Sequence, residues 1–185
     1  VPKLKDNQYK IITSEPSEFT KQEMDTYVDR AEAIRAGAVS PSQDNMLKIT
    51  NEARLLGTDP RLIDEMAIND PDSKINQCIE NIYKEYIASG DVKGTQIVFS
   101  DVGTPKDGKR FDIYNYIKDQ LIKKGIASEE ICFIHDAKTE VQRDHMFAYV
   151  RHGTIRIILG STPKMGTGVN IQNKLITLHH VDCPY

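Results

Sequence analysis

Cysteine is scarce and scattered in this chain: Cys78, Cys132 and Cys183 lie far apart, are odd in number and form no Cys-x-x-Cys pair. That spacing speaks against a disulfide framework and for free thiols in a reducing compartment. Long apolar runs are missing too. None approaches the length of a membrane span and no signal peptide is visible, so we expect no membrane contact and a cytoplasmic setting. An excess of one charge sign is also lacking. With 24 Lys and Arg against 27 Asp and Glu, the net charge of -3 argues against indiscriminate nucleic-acid binding, although a local basic face would survive that average.

What is present is enough for a buried core. At 185 residues, 39% hydrophobic and 28% charged, one domain plus a smaller extension is the natural division. The chain begins at Val1 and stops at Tyr185 with no closing helix or terminus signal, so we expect a piece of a longer protein. Residues 1–70 read as a mainly helical extension. Tyr9, Ile11 and Ile12 make a short apolar stretch, and Ser17 with Thr20 and Glu23 opens a helix running towards Gly37. Met46, Leu47, Ile49, Leu55 and Leu56 then offer an apolar face to lean on the other half.

Residues 71–185 alternate between strand and helix patterns. Asp70 and Pro71 form a cap and first-turn pair opening a helix with Ile75, Cys78, Ile79, Ile82, Tyr83, Tyr86 and Ile87 on one stripe. A strand at 96–99 and a polar loop lead to a helix carrying Tyr114, Ile117 and Leu121, closed by Gly125. A second strand at 131–134 precedes a helix over 139–150 that Gly153 stops, with Asp136 as its expected cap. Further strands are expected at 155–159 and 175–179. This alternation implies an α/β fold, a parallel sheet with helices on both faces. The apolar cores Ile97-Val98-Phe99 and Ile157-Ile158-Leu159 suit strands buried on both sides.

The most informative stretch is 155–170. A β-branched apolar run stops abruptly at small polar residues and then at Gly166 and Gly168, the pattern of a buried strand ending in a loop whose backbone approaches something closely. In open α/β sheets ligands sit outside the carboxyl ends of the strands. A second stretch, 103–110, nearly spells a phosphate-binding Gly-x-x-x-x-Gly-Lys-Ser/Thr loop. Arg110 stands where a hydroxyl must meet Mg²⁺, and a guanidinium cannot ligate a cation. His179 and His180, adjacent on a strand, point to opposite faces and are unsuited to sharing one metal ion.

In this order the segments resemble the second RecA-like lobe of a superfamily 2 helicase of the Swi/Snf type. The strand 96–100 resembles motif IV, and 134–139 resembles the family's strand-end Asp-Gly-Ser-Thr loop. Residues 159–170 resemble motif V, Ser-Thr-x-x-Gly-Gly-x-Gly-hydrophobic-Asn, and 178–185 resemble the strand entering the Asp-x-x-Trp-Asn-Pro segment. Upstream, 14–37 and 45–61 resemble the helix after the first lobe and the interlobe linker. Within motif V, Pro163-Lys164-Met165 and Thr167 depart from the family's pattern. The resemblance extends to the helicase segment of very large bacterial mobile-element proteins that also carry an adenine-methylase region.

The resemblance implies a division into a linker, 1–70, and a RecA-like lobe, 71–185, that ends before motif VI and its arginine finger. It implies an ATP-dependent DNA translocase in which this lobe contacts the DNA backbone and closes over ATP. The partners would then be DNA and a first RecA-like lobe in the same parent chain, with ATP and Mg²⁺ used by the whole protein and none bound by this segment alone. By the same comparison Thr162 meets a DNA phosphate, with Ser100 and Lys164 beside it, while Gly166, Gly168 and Asn170 serve the nucleotide; no residue here is assigned to hydrolysis or to a metal. Each has a plainer structural role as well: a turn cap for Thr162 or Asn170, a loop glycine, a strand-end serine, a solubilising lysine. A non-catalytic α/β module that binds protein at the sheet edge, or a P-loop enzyme using 103–109, are the alternative functions.

Overall fold

The computed structural model describes residues 9–105, 110–165 and 169–182. Helices α1 (Glu18–Arg35) and α2 (Met46–Thr58) come first, then a 3₁₀ turn at Pro60–Leu62 and helix α3 (Lys74–Ala88). Strand β1 (Thr95–Phe99), helix α4 (Ile113–Lys123), strand β2 (Ile131–Phe133) and helix α5 (Glu140–His152) follow. Strand β3 (Ile157–Gly160), a single helical turn α6 (Thr162–Met165) and strand β4 (Leu175–His180) complete the order. The strands form one sheet in the order β2-β3-β1-β4, and every pair is parallel.

Alternation of side chains along the strands explains the layers. Val98, Ile131, Phe133, Ile157 and Leu159 face one way, against Ile75, Ile79 and Ile82 of α3 and Ile113, Tyr114, Ile117 and Leu121 of α4. Ile97, Phe99 and Ile158 face the other way, against Phe147 and Val150 of α5 and against Met165 and Ile171. The central strands β1 and β3 are buried on both sides, as their unbroken apolar runs require. The fold is therefore α/β, with a parallel sheet and helices on both faces, an arrangement compatible with a RecA-like lobe.

The helical segment closes its own ends. Ser17 caps α1 by accepting from the Thr20 amide. At the other end the Gly37 amide donates to Ile34 O and the Ala38 amide to Ala33 O, with Gly37 at φ +69°, the paired bonds of a Schellman cap. Tyr27, Ile49 and Leu56 make a small core between α1 and α2. Arg30 bridges the pair, donating to Asp44 at 2.7 and 2.9 Å and to Glu52 at 2.5 Å. The segment leans on the sheet domain through Leu55 and Leu62, and through Arg61, whose guanidinium lies 4.2 Å over Phe111 and 4.0 Å over Tyr116. Met46 and Leu47 face solvent instead of joining that contact.

Several boundaries differ from the sequence expectation. Asp70 does not cap α3: its carboxylate accepts from the Asp72 amide and its carbonyl from the Ser73 amide, closing a turn around Pro71. Ser73 is the cap, accepting from the Asn76 amide. Ile87 is 59% exposed, off the buried stripe of α3. Asp136 is not the cap of α5 either. Thr139 holds that place in a reciprocal capping box with Gln142, while residues 134–136 wind into a 3₁₀ turn.

His179 and His180 do point to opposite faces. His180 stacks on Phe99 at 4.9 Å, whereas His179 sits 2.8 Å from Gln96 Oε1. Gln96 is fully buried, and its amide nitrogen donates to Ile82 O at 2.9 Å, so its oxygen is left to accept from His179 Nε2–H. Burial, with a smaller contribution from His180, lowers the His179 pKa from 6.5 to about 4. The unfolded chain therefore takes up this proton first as pH falls, and stability drops between about pH 6.5 and about pH 4. Thermal melts across that range should show a smaller loss for His179→Gln than for the parent chain.

Candidate functional site at the carboxyl edge of the sheet

Parallel strands all end at one edge, so the segments after β1, β2, β3 and β4 meet there. The chain leaving β1 turns immediately. The buried Ser100 donates its hydroxyl to Val102 O at 2.9 Å, and its carbonyl accepts from the Tyr114 hydroxyl at 2.7 Å. Beyond β4 the Val181 amide still pairs with Phe99 O at 3.0 Å, which carries Asp182 alongside that turn. The Asp182 carboxylate accepts from the amides of Asp101 and Val102 at 3.1 Å and from Arg54 Nη2 of helix α2 at 3.0 Å.

Asp101 in turn reaches the segment after β3. Its Oδ1 accepts from the Thr162 amide at 2.6 Å, at the start of α6. The amides of Lys164 and Met165 donate to Ser161 O, so the turn is tight. Gly160 makes room here. A Cβ at that position would collide with Met165 and lie 2.9 Å from Ile134 Cγ2, so with Met165 packed as it is the position suits glycine. The result is a half-buried Thr162 and an exposed Lys164 on a rim held from beneath.

The expected site residues divide clearly. Thr162 and Lys164 share this rim. Asn170 is exposed, with its carbonyl accepting from Arg151 at 2.9 Å. Gly166 and Gly168 lie outside the described residues. Ser100 does not present its hydroxyl to a ligand, because that group is buried and already donates within its own turn. In the P-loop look-alike, residues 106–109 lie outside the described residues. Gly103 packs against Ile113, and the carboxylate of Asp112 already caps the first turn of α4, accepting from the Asn115 amide at 2.8 Å. A helix start occupied by its own carboxylate is poorly suited to cradle phosphate.

Two groups at the edge escaped sequence reasoning. Asp101 was indistinguishable from other loop acids, and Arg54 from other solvated helix cations. His135, just after β2, packs edge-on against Tyr114 at 5.4 Å. Burial holds its pKa below the ordinary value, and the charge of Lys164 pushes the same way, with smaller contributions from Asp136, which opposes, and Lys138, which adds. Among the described residues its buried Nδ1 has no hydrogen-bond partner, which also favours the neutral ring. Burial pushes the thiols of Cys78 and Cys132 up to about 12, so neither is a ready nucleophile. Among the described residues no group of three or more His, Cys, Asp or Glu side chains is placed to hold a metal ion.

No protein-family model matches this chain, and no curated protein matches it.

The hydroxyl of the fully buried Tyr114 is what satisfies the Ser100 carbonyl. Tyr114→Phe should therefore destabilise the protein by about 1–3 kcal/mol, measured by urea denaturation, because a buried acceptor is left without a donor.

Proposed function

We propose that this chain is the second motor lobe, with its preceding linker, of an ATP-dependent DNA translocase. The observation that carries the reading is the α6 turn, which sits at the carboxyl edge of a parallel sheet with Thr162 and Lys164 on its rim and its first amide held by Asp101. A short hydroxyl and an ammonium on a rigid rim suit a phosphodiester, which needs donors and positive charge but no base-specific groups. The motif V resemblance supports the same assignment. Asn170, exposed further along the same segment, suits a ribose hydroxyl.

The described residues fit ATP only in part. Both oxygens of Asp182 and one of Asp101 are engaged by N–H donors, and among the described residues no group of three His, Cys, Asp or Glu side chains is placed to hold Mg²⁺. In this reading Mg²⁺ is held by the other lobe, where it supplies charge neutralisation during phosphoryl transfer. This chain's own residues orient the ribose and grip the strand. A specific observation favours a second reading, a protein-binding module without catalysis: edge strand β4 leaves Ile176 and Leu178 42% and 46% exposed.

DNA binding measured by fluorescence anisotropy over a salt series separates the two. A translocase lobe should bind DNA at low salt, with affinity falling steeply as salt rises. Lys164→Ala should lower the magnitude of the slope of log affinity against log salt by about one, the loss of a single phosphate contact. No affinity at low salt, together with capture of a protein partner, would favour the module. The isolated chain should fold yet hydrolyse no ATP with or without DNA, and steady turnover in a phosphate-release assay would overturn the lobe assignment.

A further inference from the structure

Four segments far apart in sequence meet through two carboxylates in series. Arg54 on α2 donates to Asp182 at 3.0 Å across 128 residues. Asp182 accepts from the Asp101 amide through both its oxygens, at 3.1 Å each, and from the Val102 amide. Asp101 accepts from the Thr162 amide at 2.6 Å. Asp101 is thus held by its backbone and holds by its side chain. Because both oxygens of Asp182 straddle one N–H, the direction of that peptide is set, and with it the place from which the Asp101 carboxylate reaches Thr162.

We propose that Asp101 and Asp182 are positioning residues which couple the seat of helix α2, through Arg54, to the placement of the α6 turn that carries Thr162 and Lys164. The ligand of that turn rests on the translocase reading; the coupling does not.

The Asp182 side chain is 3% exposed and that of Arg54 19%. A carboxylate so deeply buried is costly to leave partly unpaired, so it follows its donors when they move. Displacing α2 therefore reorients Asp182, then the Asp101 peptide, then the turn. Charge adds a second effect. Two carboxylates beneath a phosphate-binding rim repel the ligand, and Arg54 offsets one of them. A linker helix seated on the sheet would thus favour binding at α6, and one lifted away would weaken it. Arg30, which ties α2 to α1 through Asp44 and Glu52, lies apart from this chain of contacts and serves as the control.

The test is hydrogen exchange at the Thr162 amide, read by NMR on the 185-residue chain without DNA. Arg54→Met keeps most of the side chain and removes the charge. It should speed Thr162 exchange about tenfold, the loss expected when one charged hydrogen bond in a series is removed. Asp101→Ala, which removes the acceptor itself, should speed it at least as much, and Arg30→Met should leave it unchanged. Asp182→Asn should act like Arg54→Met; should that variant fail to fold, Arg54→Met alone carries the decision. Thr162 exchange that responds to Asp101→Ala but not to Arg54→Met overturns the coupling, as does an equal response to Arg30→Met. DNA titrations of the same variants test the consequence. If the parent chain binds DNA, Arg54→Met should weaken it at fixed salt by more than Arg30→Met. A parent chain that ignores DNA overturns the translocase reading and leaves the exchange result to judge the coupling alone.

Discussion

A carboxylate taken out of water must be met by hydrogen-bond donors, and in this protein that demand organises the working edge of the sheet. Asp182 is met by two amides of the turn after β1 and by a guanidinium from the helical segment, so one side chain joins the last strand, a central strand and helix α2. The turn after β3 is attached to the same assembly through Asp101. Satisfying one buried charge fixes the relative positions of loops that secondary structure alone leaves independent.

The layers beneath serve that edge. Burial of β1 and β3 on both faces locks their register, and parallel pairing sends all four strand ends to one side. Tyr114 links the apolar core to the edge: its ring packs against Phe133 while its hydroxyl holds the Ser100 carbonyl. The close approach at Gly160 brings Met165 under the rim, so the turn carrying Lys164 rests on packed side chains. An exposed lysine on such a support loses less freedom on meeting a ligand than one on a free loop.

Much of the fold was legible because its signals are local. Apolar runs, the Ser17 cap and the Gly37, Gly125 and Gly153 stops mark elements by composition, and all three glycines take positive φ. Where the reading slipped, two neighbouring residues offered the same chemistry. Asp70 and Ser73 can each cap a helix, as can Asp136 and Thr139, and each time the later one does, the earlier being taken up in a turn of its own. The turn after β3 was also legible, since Gly160 through Lys164 announce a strand that ends in a turn.

Local chemistry, then, is written in the order of residues: an alternating α/β chain, two double-sided strands and a glycine-bearing turn after one of them. Which acids matter was decided only by tertiary structure. Asp101 and Asp182 lie 81 residues apart, and Arg54 and Asp182 lie 128 apart. A hydrogen bond depends on the positions of donor and acceptor in space, and until the sheet assembles nothing in the order of residues says which carboxylate will lose its water.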